Sequence, residues 1–227
     1  MKKNLYGIEA EITKKRVKNV SIRVNETGDV FLTVPYGISE EKACEFFKSK
    51  IEWIKRAVEK TENYRKTDFS NGGELFVFGQ KRRLEVVKGS REQVICGDDI
   101  MTVVVKNEER SKAATIKYLE KSLEEVLVGY FKKWEEITGL KSSEVKIRKM
   151  KSLWGSCTPK TRAIRISFYL VSMPARCIEY VVLHELIHIR YPNHQQGFKG
   201  MLSKYMPDWK TRRQYLKENG VKMRINL

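Results

Sequence analysis

The sequence predicts an α+β protein with a β-rich N-terminal part. Short segments of alternating apolar and polar residues dominate the first half of the chain, as they do in half-buried strands. A long amphipathic pattern then runs from residue 111 to residue 137, and a further helical segment at 177–189 is apolar on nearly every side. We therefore expect a β-rich region with one helix at residues 1–107. A small domain built around the apolar helix is expected at residues 108–227.

The N-terminal elements follow from turn and capping signals. Residues 5–12 and 17–34 alternate as strands do, and the second stretch contains a hairpin turn at residues 25–29. Ser39 is a good N-cap, and the helix expected after it has one apolar face, formed by Phe46, Phe47, Ile51, Ile54 and Val58. Four short strands follow, at residues 75–78, 84–87, 94–96 and 101–105. No internal repeat is apparent.

The C-terminal part is organised around helices. The long helix is expected to end before Gly139, a frequent residue type just after helices. The apolar helix follows Pro174, which is tolerated in a first turn. A further helix is expected to start near Asn193 and to be limited by Pro207, because apolar residues there recur at helical spacing. Two strands are expected between the helices, at residues 145–150 and 163–170.

All three histidines of the chain lie within eleven residues, as HExxH followed by a third histidine six residues later. His184 and His188 are four residues apart, so on a helix their imidazoles share one face. Pro192 and Asn193 allow the chain to turn and to bring His194 to the same ion. Three protein ligands with an open fourth position are typical of a catalytic zinc site. We expect one zinc ion per chain.

Glu185 gives this predicted metal site a catalytic group. It follows His184 directly, so it projects about 100° further round the helix and can still reach a water molecule at the metal. A carboxylate there can take a proton from the water and later hand it to a leaving group. The residues therefore predict a metal-dependent hydrolase with Glu185 as its acid/base.

Three alternatives stand beside this prediction. The histidines could be core residues of a buried helix, although a buried, unpaired glutamate beside them would cost several kcal/mol. The same metal centre could hydrolyse nucleotides or other phosphorylated substrates, yet the sequence has no Walker motif. A nucleic-acid-binding module with structural zinc is disfavoured, because such sites normally have four ligands and no base.

Several motifs stand in one order along the chain. They are Gly28-Asp29-Val30, Val34-Pro35, Trp53-Ile54, Phe78-Gly79-Gln80, Trp154-Gly155-Ser156-Cys157, Ile164-x-Ile166, Tyr180-Val181-Val182-x-His184-Glu185-Leu186-x-His188, Asn193-His194, Phe198 and Met206-Pro207-Asp208. With this set the sequence resembles the YgjP-like, WLM-type metallopeptidases, relatives of SprT-like proteases among the zincins. The resemblance implies a small zincin-like catalytic domain that acts on proteins or peptides. It also implies that His184, His188 and His194 bind zinc and that Glu185 is catalytic.

The sequence departs from the family pattern at three positions. Ser167 stands where the family usually has Asn, Gln195 where it commonly has Ser, and Lys199 where it has Trp after Phe198. The ligands and Glu185 are unchanged, so we expect these departures to affect substrate preference. An edge strand beside the metal helix would bind an extended peptide by strand addition. The candidate substrate-binding residues are Ile164, Ile166, Ser167 and Trp154, whereas Cys157 is more consistent with packing.

Composition limits the remaining possibilities. The 227 residues carry 45 Lys and Arg against 28 Asp and Glu, a net charge of +17. This excess is explained either by solvated helix faces or by binding to nucleic acid or another polyanion, which would suit a nucleic-acid-associated protease. The chain shows no signal peptide, no apolar stretch of about 20 residues and no CxxC pair, so we expect a cytoplasmic protein with reduced thiols and no membrane contact. The oligomeric state cannot be read from the sequence.

Overall fold

The computed structural model describes residues 2–25, 28–62, 67–150 and 152–227. It separates into two compact units, the first from Met1 to Lys66 and the second from Thr67 to Ile225. The mixed architecture of several sheets and six α-helices among these residues confirms the predicted α+β class. No helix in the described ranges is long and apolar enough to cross a membrane.

The first unit is a four-stranded sheet followed by two helices. Its strands are β1 (Lys2–Leu5), β2 (Ile8–Lys15), β3 (Ser21–Val24) and β4 (Val30–Pro35), in the order β1-β2-β4-β3 with β2 and β4 parallel. A hairpin at Tyr6 and Gly7, both with positive φ, splits the single strand predicted at residues 5–12. In the turn predicted at residues 25–29, Glu26 and Thr27 lie outside the described residues.

The prediction of one helix in the N-terminal region is wrong, because two helices follow β4. These are α1 (Glu40–Ser49) and α2 (Ile51–Glu62). The Ser39 cap is as expected, since its hydroxyl accepts a hydrogen bond from the Lys42 amide at 3.4 Å. The break falls at Lys50, whose backbone leaves the helical region while its N–H still bonds to Phe47. No Gly or Pro marks this break in the sequence. Phe47 and Ile54 both remain fully buried in the core of the unit.

The second unit begins with a sheet that repeats the strand order of the first. Its strands are β5 (Glu74–Val77), β6 (Gln80–Lys88), β7 (Gln93–Cys96) and β8 (Ile100–Val105), in the order β5-β6-β8-β7 with β6 and β8 parallel. The first three strands of each sheet start 72 residues apart, at 2 and 74, 8 and 80, and 21 and 93. Phe78 and Gly79 have positive φ like Tyr6 and Gly7. The chain therefore contains an internal structural repeat that the sequence pattern does not reveal.

The division into units does not coincide with the predicted boundary at residue 107, because the sheet β5–β8 shares the core of the second unit. The β5–β6 turn bonds to the 3₁₀ segment Phe168–Ser172: the Phe78 N–H donates to the Val171 carbonyl at 2.7 Å. A Cβ on Gly79 would lie 2.6 Å from the ring of Pro174, so only glycine permits this approach. Apolar residues of this sheet join those of the later helices in one cluster.

A long helix and a small sheet follow. Helix α3 (Ser111–Thr138) ends at Gly139, whose φ of 71° is the left-handed conformation expected for a glycine at this position. The next sheet has the order β10-β11-β9, from β9 (Glu144–Arg148), β10 (Gly155–Thr158) and β11 (Ala163–Ser167). Strand β11 is therefore the inner strand, antiparallel to β10 and parallel to β9.

Three helices complete the second unit. They are α4 (Ala175–Ile187), α5 (Gln196–Tyr205) and α6 (Trp209–Met223). Helix α4 is buried on most sides, as its sequence predicts. Its Glu179 joins α4 to two neighbours, because Lys133 of α3 and Arg212 of α6 each donate to its carboxylate at 2.6 Å. These contacts fix the orientation of the helix that carries the HExxH motif.

Candidate active site

The three histidines converge although only one of them belongs to a helix. His184 lies in the last turn of α4, His188 directly follows that helix, and His194 belongs to the loop before α5. The Nε2 atom of His184 is 3.2 Å from Nε2 of His188 and 3.0 Å from Nε2 of His194. The structure thus brings together all three of the predicted ligands.

The arrangement of these nitrogens fits a tetrahedral metal ion. Zinc–nitrogen bonds of about 2.0–2.1 Å at tetrahedral angles place two ligand nitrogens about 3.3 Å apart, close to the separations found here. Burial, followed by the neighbouring histidines and Arg213, lowers the pKa of His184 to about 3. Burial also lowers the pKa of His188. Both imidazoles are therefore neutral at physiological pH, which is the protonation state that binds metals.

Neighbouring groups orient the imidazole rings. The Nδ1–H of His188 donates to the Tyr191 carbonyl at 3.0 Å, so its Nε2 carries the free lone pair. The Tyr180 hydroxyl lies 3.4 Å from Nδ1 of His184. The Phe198 ring packs against all three imidazoles, with centroid separations of 4.7–4.8 Å. Such outer contacts are typical of metal-binding histidines.

Glu185 is buried beside this cluster, with 5% of its surface exposed. Burial raises the pKa of its carboxyl group to about 8, since removal from water disfavours the charged form. A bound cation would oppose this effect by favouring the carboxylate. The site therefore combines three metal-competent nitrogens with one carboxyl group that is able to hold a proton.

A pocket of about 380 Å³ opens beside His184 and Glu185. It is lined by residues of the β10 segment, α4 and α6: Leu153, Trp154, Gly155, Tyr180, Val181, His184, Glu185, Arg213, Leu216 and Lys217. The pocket gives a substrate access to the two groups from which the chemistry is expected.

Comparison with known proteins found a matching family and a similar solved structure. The family model described as the YgjP-like metallopeptidase domain matches residues 18–219, most of the chain. The chain belongs to the YgjP-like family. No curated protein matches it. Among solved structures it is similar to the crystal structure of the metallopeptidase zymogen of Methanocaldococcus jannaschii jannalysin, with 26% identity over 45% of this chain and 88% of that chain and a TM-score of 0.33.

Membership of the YgjP-like family confirms the resemblance drawn from the ordered motifs and makes the protein a metal-dependent peptidase by family. The matched region contains the three histidines, Glu185 and the Trp154-Gly155 segment. It also contains the β5–β6 turn, whose Phe78 and Gly79 contact the segment before α4.

The structure places three of the predicted substrate-binding residues of this YgjP-like chain in the core. Ile164, Ile166 and Ser167 are buried, and Ser167 donates its hydroxyl hydrogen to the Met150 carbonyl at 3.0 Å. Strand β11 has partners on both sides, so it cannot add a peptide strand. The prediction of an edge strand at β11 is therefore corrected: among the strands that the structure describes, β10 is the edge strand beside Glu185.

Trp154 alone of the predicted substrate-binding residues lines the pocket. The sequence analysis did not identify the other polar or small residues of this pocket as site residues. Gly155, Arg213 and Lys217 all line the same pocket. Gly155 could be found only through its position in the Trp154-Gly155-Ser156-Cys157 motif. Arg213 and Lys217 carry no such signal, because α6 begins 22 residues after the end of α4.

Proposed function

We propose that this metallopeptidase holds one zinc ion on His184, His188 and His194 and uses Glu185 as the acid/base for peptide-bond hydrolysis. The observation that carries the proposal is the convergence of three imidazoles next to a buried carboxyl group at an open pocket. The Nε2 atom of His184 lies 3.2 Å from that of His188 and 3.0 Å from that of His194. Zinc bound there would supply Lewis acidity toward a water molecule and the substrate carbonyl.

Glu185 moves the proton in this proposal. Its carboxylate accepts a proton from the attacking water, and its low exposure keeps that proton out of contact with solvent. The same carboxyl oxygen then donates the proton to the nitrogen of the leaving amine. Burial suits the second step, because a carboxyl group with a raised pKa holds a proton readily.

The outer edge of β10 supports an extended substrate. The Ser167 N–H donates to the Trp154 carbonyl at 2.9 Å, so residues 154 and 167 form a hydrogen-bonded pair of the antiparallel ladder. Because bonded and non-bonded pairs alternate, Gly155 and Cys157 direct their backbone N–H and C=O groups away from β11. We infer that a peptide pairs with these groups and lies across Glu185.

The donor set favours a peptidase over the phosphohydrolase alternative. The only cluster of potential metal ligands among the described residues consists of the three histidines. Enzymes that act on phosphate esters commonly hold two metal ions, which need additional carboxylates. The net charge of +17 is explained either by binding to nucleic acid or by solvated surfaces, and no arrangement among the described residues favours nucleic acid.

Metal analysis together with peptide profiling of Glu185→Gln tests the proposal. We expect the variant to keep its fold and about one zinc per chain. Its rate of hydrolysis should fall by at least the factor of about 10²–10⁴ that is typical of removing a general base. Glu136→Gln, the same change at an exposed site on α3, is the matched control. Single replacement of each histidine by alanine should abolish zinc retention. Equal turnover by Glu185→Gln and wild type would contradict the assigned role.

A further inference from the structure

One face of α6 is directed toward the active site. Arg213, Leu216 and Lys217 lie at i, i+3 and i+4 and line the pocket that reaches His184 and Glu185. Gly220 continues the same face, and a Cβ there would lie 2.4 Å from Cζ2 of Trp154. The indole therefore packs directly on the helix backbone, and α6 and Trp154 form one wall of the pocket.

This face carries two positive charges without a negative partner. Arg213 and Lys217 are both exposed, and neither forms an ion pair within the part of the chain that the structure describes. The neighbouring Arg212 is different, because it donates to Asp208 at 2.8 Å and to Glu179 at 2.6 Å. Two like charges at i and i+4 destabilise a helix slightly, so the local fold gives no reason for this pair.

The rest of the pocket has the character of a side-chain subsite. Leu153, Trp154 and Leu216 supply apolar surface, and the two cations stand at its rim. A guanidinium group binds a carboxylate through two parallel hydrogen bonds, and a nearby ammonium group adds a further charge-assisted bond. An apolar stem that ends in a carboxylate matches this combination of groups.

We infer that Arg213 and Lys217 bind a carboxylate of the substrate next to the scissile bond, an inference that rests on the proposed peptidase function. The carboxylate belongs either to an Asp or Glu side chain or to the C-terminus of the peptide. Both sources present the same planar anion. The first makes the enzyme selective for acidic sequences, and the second makes it selective for chain ends.

Binding of three small ligands distinguishes a side-chain carboxylate from a C-terminal one, and it does not require hydrolysis. N-acetylglutamate α-amide carries only a side-chain carboxylate, N-acetylglutamine only a terminal carboxylate, and N-acetylglutamine amide neither. We expect one of the first two, but not the third, to shift the indole N–H signal of Trp154 in an NMR titration of the whole protein. Arg213→Gln/Lys217→Gln should abolish that shift. The matched control is Lys210→Gln, an exposed cation on α6 that does not line the pocket.

Steady-state kinetics on pairs of peptides provide a second test of the carboxylate subsite. Peptides with Glu or Gln beside the cleaved bond, and with free or amidated C-termini, are compared on wild type and the double variant. For the peptide that carries the preferred carboxylate, we expect KM to rise about tenfold in the double variant. The KM for the matching neutral peptide should change little, and the zinc content should stay the same. The charge reversal Arg213→Glu/Lys217→Glu should transfer the preference to peptides with Lys at that position.

The possible outcomes separate the two proposals. Equal binding of all three ligands, or carboxylate binding that persists in the double variant, overturns the carboxylate subsite. An equal loss of activity on acidic and neutral peptides also overturns it, because it indicates a structural role for the two cations. A wild type that binds the carboxylate ligand through Arg213 and Lys217 yet cleaves no peptide supports the subsite and contradicts the peptidase proposal.

Discussion

Gly155 lies directly against the carboxyl group of Glu185. A Cβ on Gly155 would be 2.6 Å from Oε1 and 2.8 Å from Cδ of that residue, closer than real Cβ contacts. The edge strand and the buried carboxyl group therefore touch through the one residue type that has no side chain. This contact sets the position of the proposed acid/base relative to the backbone on which the substrate would lie.

Replacing Gly155 with alanine should displace Glu185 or β10. We expect a loss of roughly tenfold to a hundredfold in kcat, because displacing a catalytic group by about 1 Å can cost 10²-fold. Zinc content should not change, since the three atoms nearest to the added Cβ all belong to Glu185 and none to a histidine. Gly200→Ala is the matched control, because a Cβ there meets no atom within 4 Å apart from the backbone of its own helix. Full activity in Gly155→Ala would show that the carboxylate position is not critical.

Phe198 holds the three imidazoles from one side, so its ring is expected to pre-organise the metal site. Phe198→Leu keeps an apolar residue but removes the flat surface that the rings contact. We expect about a tenfold weaker zinc affinity, the lower end of the effect of changing residues that support metal ligands. Competition with a chelator measures it. Met201→Leu, on the same helix, is the control and should retain wild-type affinity.

The cluster of three histidines could be predicted from the sequence because its geometry is local. His184, His188 and His194 lie within eleven residues, and helical spacing followed by a turn is enough to bring them together. The approach of Gly155 to Glu185 could not be predicted, because it depends on how a strand thirty residues earlier packs against α4. The same holds for the position of β11 inside its sheet, which is set by the pairing of β9 on its outer side.

Helix α6 was missed for a different reason. Its buried residues Trp209, Leu216 and Met223 recur every seven residues, which is a helical signal, but the many charged residues between them obscure the apolar face. Arg212 was one of those charges, and it is in fact largely buried in ion pairs with Asp208 and Glu179. Side-chain burial of this kind depends on tertiary contacts that composition does not report.

Glu179 should make stability depend on acidic pH. Burial alone would raise its pKa, but hydrogen bonds from Lys133 and Arg212 outweigh burial and lower the pKa below 4.5. A carboxyl group whose pKa is lowered on folding contributes stability above its unfolded pKa and loses that contribution as the pH falls through the folded value. We expect Glu179→Gln to lower the free energy of unfolding at pH 7 by about 1–2 kcal/mol, because Glu179 is partly buried and one of its two partners, Lys133, is half exposed.

Urea unfolding of wild type and Glu179→Gln at several pH values checks this expectation. The difference between the two proteins should shrink as the pH falls below about 4.5, because the unfolded wild-type chain then binds a proton at Glu179, and it should vanish once the pH falls below the lowered folded-state pKa. Glu136→Gln, at an exposed site, should show no such difference. A gap that stays constant from pH 7 to pH 3 would mean that the contribution of Glu179 is not electrostatic.

Cys157 should be an unreactive thiol despite its position on the edge strand. Burial, and then the nearby charge of Glu185, raise the pKa of its thiol from 9.0 to about 11. The fraction present as thiolate at pH 8 is therefore about a hundredfold smaller than for an unperturbed thiol, and the thiolate is the reactive species.

We expect iodoacetamide at pH 8 to label Cys157 about a hundredfold more slowly in the native protein than in denaturant, measured by mass spectrometry of the digested chain. Because the Glu185 charge contributes, Glu185→Gln should speed labelling modestly without unfolding the protein. Native labelling as fast as in denaturant would contradict a packing role and would mark Cys157 as a reactive group beside the active site.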